Sequence, residues 1–539
     1  MCIREWLSRH AASLALAGAV LLHGGAAQAQ LFGFSLPTTV TTDKGSLIGQ
    51  STSNGRQFLG VPYAAPPTGP NRWKAPAPER AYFLRDASRF GKHCAQVASP
   101  FGDASTSEDC LYLNVFTPPA LETLWRPAPV MVWFHPGAFQ SGESDDFNPT
   151  ALVKKGVVVV TVNYRLGALG FMAHPALTAE SSEQASGNYG IMDQQAALRW
   201  VQRNIRSFGG DPRNVTIFGE SAGGVSVYAH LASPDSAGLF HRAIAQSGTY
   251  AFYTEPVTQA QAETAGQAYA AAVGCPSQNL ACLRAVPVST LLAKQNPSPV
   301  AYLPTIDAAV LPEAIFSAFY HGRIHKVPVL QGTTQDEYRL FVALRELQGF
   351  PTNAQTYESN IVAMLGFQPE TANAMVNHFY TTAEYETEAF ALAELGTDVV
   401  FACRSRSMAH YIAAHAPVYV YEFDDKTAPQ DVLPEVSFPY GAYHGSEVQY
   451  LFDSFDNGSS LNANQKVLAD LMRTYWTQFA KTGNPNGGNA PVWPQYRDME
   501  QATDPNGEPI YMELDQTPRA FNSLEFLTDH GCFLWGYGY

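Results

Sequence analysis

Short apolar runs recur along the chain and set its architecture. Val130-Met131-Val132-Trp133-Phe134 and Val157 to Val162 are continuous apolar stretches, the second almost wholly β-branched. Strands buried on both faces read this way, whereas half-exposed strands alternate. Leu111 to Phe116, Val327 to Gln331 and Val418 to Phe423 read as further strands. Residues 40–60 alternate in a hairpin-like way and lead into Val61-Pro62-Tyr63-Ala64-Ala65-Pro66-Pro67, extended because its prolines fix the backbone. Tyr189 to Phe208 carries apolar residues at helical spacing and stops at Gly209-Gly210. Val215-Thr216-Ile217-Phe218 then runs straight into Gly219-Glu220-Ser221-Ala222-Gly223-Gly224, followed by a helix-compatible stretch to Leu231. Strands alternating with helices predict an α/β fold around a mostly parallel sheet. Roughly 340–415 is mainly helical in pattern and is placed to wall a pocket above that sheet.

Composition changes this picture at the ends and edges. Arg4 and Arg9, an apolar core from Leu14 to Leu22 and Ala27-Gln28-Ala29 form a secretory signal peptide over residues 1–29. The mature chain is expected from about Gln30, exported to the periplasm or beyond, and no later stretch has the apolar length of a membrane span. Residues 30–539 show no Ser/Gly linker, charge run or repeat, which favours one large domain with long insertions. The formal charge of −15 argues against nucleic acid and anionic membranes as partners. Cys2 leaves with the signal, and an even six remain, the pattern of disulfides in an exported chain. Sequence separation favours Cys94–Cys110 and Cys275–Cys282 as local loops, leaving Cys403–Cys532. The chain has neither Cys-x-x-Cys pairs nor His-Glu-x-x-His, so no metal or cofactor is expected.

The chemistry centres on Ser221. Gly-x-Ser-x-Gly between a buried strand and a helix suits a sharp elbow that exposes a nucleophilic hydroxyl above the sheet. The helix behind it offers free N–H groups and its positive end. In such an architecture the acid follows a later strand, and Asp336 and Glu337 both stand there. The histidine comes last: His444 lies in a loop after the last predicted strand, His415 falls in a helical pattern, and His321 and His325 precede the acid. An oxyanion hole takes backbone N–H groups, one from Ala222 and others from the loop His135-Pro136-Gly137-Ala138-Phe139. Pro136 has no N–H, so Gly137 and Ala138 are the donors. Tyr250, Phe252, Tyr253, Tyr338, Phe341 and Tyr443 are candidates for lining an apolar gorge, though such residues are more often core than pocket.

Taken together these residues resemble the type-B carboxylesterase family, which includes cholinesterases, fungal lipases and bacterial p-nitrobenzyl esterases. The likeness runs through Phe58-Leu59-Gly60-Val61-Pro62-Tyr63-Ala64, Glu108-Asp109-Cys110-Leu111-Tyr112-Leu113-Asn114 and Asn163-Tyr164-Arg165-Leu166-Gly167-Ala168. It continues through Gly187-Asn188-Tyr189-Gly190, Phe208-Gly209-Gly210-Asp211-Pro212, the serine elbow, Gln246-Ser247-Gly248 and Trp476 to Gly483. The resemblance implies an α/β-hydrolase fold and ester hydrolysis through an acyl-enzyme, with Ser221 as nucleophile, His444 as base and Glu337 rather than Asp336 as acid. It also implies Gly137, Ala138 and Ala222 as oxyanion donors, Glu220 as a carboxylate beside the nucleophile and Ser247 as support for the acid. The three-bridge pairing of the family agrees with the one above. Two departures stand out. Ala138 replaces a glycine and narrows the space for bulky groups, and the loop from Cys94 to Cys110 is short and lacks a tryptophan, unlike cholinesterases. A small-molecule ester is the implied partner, with a lipase, an amidase or a non-catalytic binding protein on the same scaffold as alternatives.

Overall fold

The structure, a computed structural model, describes residues 36–123, 125–249, 257–296, 302–453, 461–497 and 510–535. The expected signal peptide over residues 1–29 and three of the candidate gorge aromatics, Tyr250, Phe252 and Tyr253, lie outside them. The described strands, in chain order, are β1 (Leu36–Thr41), β2 (Ser46–Thr52), β3 (Gly55–Pro62), β4 (Leu84–Asp86), β5 (Tyr112–Thr117) and β6 (Ala128–Phe134). Then come β7 (Val158–Val162), β8 (Gly210–Glu220), β9 (Arg242–Gln246), β10 (Val329–Thr334), β11 (Val418–Phe423), β12 (Ile510–Leu514) and β13 (Arg519–Asn522). They join in one sheet of order β1-β2-β3-β5-β7-β6-β8-β9-β10-β11-β12-β13, with β4 beside β2. From β7 to β12 every neighbouring pair is parallel, whereas β1, β2, β3 and β5 form an antiparallel flank and β13 closes the far edge antiparallel.

The strand pattern explains the two cores. Successive side chains of a strand point to opposite faces, and along β6 Val130, Val132 and Phe134 enter one apolar cluster while Met131 and Trp133 enter the other. On the second face the Trp133 ring meets Phe147 at 5.1 Å and Phe218 and Phe452 at 4.8 Å each. Because both faces are covered, every residue of β7 is buried. The expected helix after Gly187-Asn188 spans Tyr189–Asn204, tightens into a 3₁₀ turn over Ile205–Phe208 and ends at left-handed Gly209. Six α-helices between Arg339 and Ala413, with two π turns, make up the predicted helical wall.

Three expectations need correction. β11 is not the last strand, since β12 and β13 follow it at the sheet edge. β9 was not foreseen either: Arg242-Ala243-Ile244-Ala245-Gln246 is too short and alanine-rich to read as a β-branched run. Finally, β8 begins at Gly210, well before the apolar run at Val215, and its polar early residues, Asp211 to Asn214, are more exposed than that run.

The disulfides are Cys94–Cys110, Cys275–Cys282 and Cys403–Cys532, joining cysteines 16, 7 and 129 positions apart. Beside the third, buried His530 is held between Asp398 (2.9 Å) and Glu422 (2.6 Å), tying the helix at 523–529 to β11. No helix among the described residues is long and apolar enough to cross a membrane.

Candidate active site

β8 ends at Glu220 and the helix Ala222–Ala232 begins one residue later, so the turn is compressed into Ser221. Its backbone sits at φ 53° and ψ −120°, a strained conformation for a residue with a side chain. The surrounding glycines make the turn possible by close approach. A Cβ on Gly223 would stand 1.9 Å from the carbonyl oxygen of Phe134, and one on Gly219 would stand 2.5 Å from the backbone of Gly223. The Ser221 N–H donates to the Gln246 carbonyl at 2.9 Å, which locks the elbow to β9. Gly223→Ala is therefore expected to destabilise the fold by about 3 kcal/mol, at the upper end of overpacking costs. Thermal unfolding of the variant checks this, and a melting temperature equal to that of the parent protein would contradict it.

β10 ends at Thr334, and the turn that follows carries the two carboxylates whose spacing left the acid open. Glu337, fully buried, places Oε2 2.5 Å from His444 Nδ1 and accepts the Thr334 N–H on Oε1 at 2.9 Å. Asp336 turns the other way, pairing with Arg339 at 2.7 Å and accepting the Ala442 N–H at 2.8 Å. His444 lies in the loop after β11, and with Nδ1 committed to Glu337 its Nε2 makes no hydrogen bond. Glu220 Oε1 approaches Nε2 to 3.2 Å, close enough for charge attraction but outside hydrogen-bond geometry. Phe341 and Phe401 flank the imidazole, with ring centroids 5.2 and 5.0 Å away. His321, His325 and His415 do not border this site: His325, for example, contacts the Ser233 carbonyl at 2.8 Å.

The electrostatics are those of charges held out of water. Burial by itself would depress His444, but Glu220 and Glu337 overcome it and hold the imidazole up at about 9. Burial also pushes the Glu220 carboxyl well above the carboxylate range, with His444 pulling it down and Glu447 and Glu337 pushing it up. Burial lifts Glu447 to about 7, against a hydrogen bond of 3.0 Å from Gln246. Gln246 in turn accepts from Trp476 Nε1 at 3.0 Å, so the core of the long helix Ala463–Thr482 is wired to the carboxylates around His444. Glu447, Gln246 and Phe401 were not singled out from the sequence. Gln246, through its glycine-serine block, and Glu447, through the His444-Gly445-Ser446-Glu447 run, carried a signal there, and Phe401 carried none.

The loop after β6 supplies the other expected donors. Gly137, Ala138 and Phe139 have φ of 109°, 54° and 58°, so three consecutive residues take the left-handed region. The turn is held by Gln140 and Ser141 N–H groups on the Gly137 carbonyl (2.9 and 3.0 Å) and by His135 stacked on Tyr164 at 4.3 Å. Burial drives His135 down to about 4, so it is a neutral packing ring rather than a second base. The disulfide loop braces the turn as well: Gln96 accepts the Gly142 N–H at 2.7 Å and donates to the Gly142 carbonyl at 3.2 Å. Ala222 opens the helix next to Ser221. Ser247 lies buried at φ 47°, its N–H on the Gly332 carbonyl at 2.9 Å, but its Oγ makes no hydrogen bond to Glu337.

Ser221, Glu220, His444, Gly137 and Ala138 open onto one cavity of about 1180 Å³. Its walls come from the disulfide loop (Val97, Phe101), from Leu292, and from the helices Arg339–Leu347 and Tyr357–Leu365, with Tyr338, Phe341 and Tyr443 among the lining aromatics. A hydroxyl at a strained elbow, an imidazole oriented by a buried carboxylate and N–H groups from two loops can move a proton and stabilise an oxyanion. No group of this site has metal-ligand geometry among the described residues.

Comparison with known proteins identifies the family. The chain is 33% identical over 501 residues to acylcarnitine hydrolase of Mus musculus, covering 87% of this chain and 84% of that protein. It is 33% identical over 490 residues to para-nitrobenzyl esterase of Bacillus subtilis, covering 86% of this chain and 94% of the other. A solved structure of PNB esterase superposes with a TM-score of 0.74 over 92% of this chain and 99% of its own, at 33% identity. A profile of the carboxylesterase family matches residues 37–525. The chain belongs to the carboxylesterase family, carboxylic ester hydrolases on the α/β-hydrolase fold.

Proposed function

We propose that the protein hydrolyses carboxylic esters through an acyl-enzyme formed on Ser221. His444 Nε2 takes the hydroxyl proton as Ser221 attacks the ester carbonyl, and Glu337 holds the imidazole in the right tautomer and stabilises its cation. The N–H groups of Gly137, Ala138 and Ala222 receive the tetrahedral oxyanion. His444 then hands the proton to the leaving alcohol, and water repeats the cycle. The observation that carries this reading is His444, tied through Nδ1 to buried Glu337 and carrying an uncommitted Nε2 beside the cavity that Ser221 borders. On the same reading residues 30–539 form one exported catalytic unit, and three disulfides support export.

Stopped-flow hydrolysis of p-nitrophenyl esters from acetate to palmitate tests it. A burst of one nitrophenol per enzyme is expected, followed by slower turnover. Absence of any turnover from folded protein would favour the non-catalytic alternative.

The site also sets a pH dependence. A base works only when neutral, and neighbouring carboxylates raise His444, so kcat/KM should rise with pH through an apparent pKa above that of free imidazole. Glu220→Gln removes one raising charge. Its rising limb should move to lower pH, and an unmoved limb would show that Glu220 does not act on His444.

A further inference from the structure

The cavity wall is mainly apolar, and several of its polar side chains are spent on the protein itself. Tyr443 donates to the Pro429 carbonyl at 3.0 Å, Tyr338 to the Met364 carbonyl at 3.2 Å, and the Gln430 amide binds Val432 and Leu433 backbone groups at 2.7 to 2.9 Å. Arg345 is different. Among the described residues that border the cavity it is the one fixed cation. Its Nε donates to Asn360 at 3.3 Å and its guanidinium lies over the Phe350 ring at 4.9 Å. No carboxylate pairs with it among the described residues, so the two Nη groups, the edge that grips carboxylates side-on, are left over.

Its position relative to the reaction centre is fixed by one helix. Phe341, whose ring packs on His444, and Arg345 lie four residues apart on Arg339–Leu347, one turn or roughly 6 Å along the axis. Arg345 therefore leaves the helix about one turn along from Phe341. In a chain of net charge −15, a cation that borders a largely apolar cavity without a carboxylate partner is a place for an anion brought by the ligand.

We infer that the ester taken by this cavity carries a carboxylate at the far end of one chain, separated from the ester carbonyl by several methylene groups and bound by Arg345. The inference rests on the ester-hydrolase reading above and names the substrate class for the same site. Hydrolysis proceeds as proposed there, with the carboxylate unchanged. Arg345 binds it in ground and transition state alike, so its contribution falls in KM rather than kcat.

The test compares esters of matched length. On the acyl side, mono-p-nitrophenyl adipate and suberate are set against p-nitrophenyl hexanoate and octanoate. On the alcohol side, the butyrate ester of 6-hydroxyhexanoate is set against hexyl butyrate, followed by acid release. The readout is the charged-to-neutral ratio of kcat/KM in the wild type, Arg345→Gln and Arg345→Lys. The expected result is a fall of tenfold or more in that ratio for Arg345→Gln in at least one arm, expressed in KM and partly restored by Arg345→Lys. A misfolded variant lowers both members of a pair and leaves the ratio alone. A change below tenfold in both arms, with neutral esters still turned over by the wild type, overturns this inference and leaves the ester-hydrolase reading standing. Failure of the wild type on every ester overturns that reading instead.

Discussion

Ser221→Ala should leave a folded protein whose turnover of p-nitrophenyl esters falls by about six orders of magnitude, with no burst. The size follows from the way the site is built. Loss of the nucleophile in a serine-histidine-carboxylate unit costs about as much as loss of the whole unit, because the three groups act as one. The substitution is also structurally mild. Alanine keeps the N–H that donates to Gln246, and the elbow is enforced by the close approaches at Gly219 and Gly223 rather than by the serine side chain. The melting temperature should stay near that of the parent. Residual activity within a hundredfold of wild type would remove Ser221 from the mechanism.

Glu337→Gln is the second large effect, expected at about 10⁴ in kcat. The amide is close in shape to the carboxylate, and Oε1 can still accept the Thr334 N–H. What disappears is the negative charge 2.5 Å from His444 Nδ1, which fixes the tautomer and stabilises the cation formed during proton transfer. Asp336→Asn is the natural control. Asp336 binds Arg339 and the Ala442 N–H and does not touch His444, and an asparagine oxygen still accepts from Ala442. Its activity should remain within tenfold of wild type. The reverse ranking in steady-state kinetics would give the acid's role to Asp336.

These two adjacent carboxylates also show where reading the chain succeeds and where it stops. Spacing after an apolar run locates the turn that follows β10, because strand ends and their turns are written in local composition. It does not say which of two neighbouring carboxyls faces the histidine, since that depends on the twist of a turn and on a loop more than a hundred residues away. The resemblance favoured Glu337, and the structure brings Glu337 to His444. The parallel core was legible for the same local reason: β6 and β7 are apolar enough to declare burial on both faces. β9 was not, because its alanines fit the crowded centre of the sheet by being small, a property that only the neighbouring strands reveal. Phe401 escaped notice because it comes to His444 from a π turn in the helical wall. Ser247 shows the opposite case, a residue singled out by likeness whose hydroxyl makes no hydrogen bond to the acid.

The wall helix Arg339–Leu347 starts two residues after Glu337, and that adjacency matters to anyone redesigning the pocket. A bulkier or smaller side chain at Leu340 or Phe341 pushes on a rigid rod whose near end carries the carboxylate that orients His444, so a new substrate preference gained there will tend to bring a loss of rate. Another part of the wall comes from a different element. Leu292 projects from Val288–Lys294, which contributes no group to proton transfer or to the oxyanion loop. Variation of cavity size is best begun at Leu292, where the lining can change without touching the helix that follows Glu337.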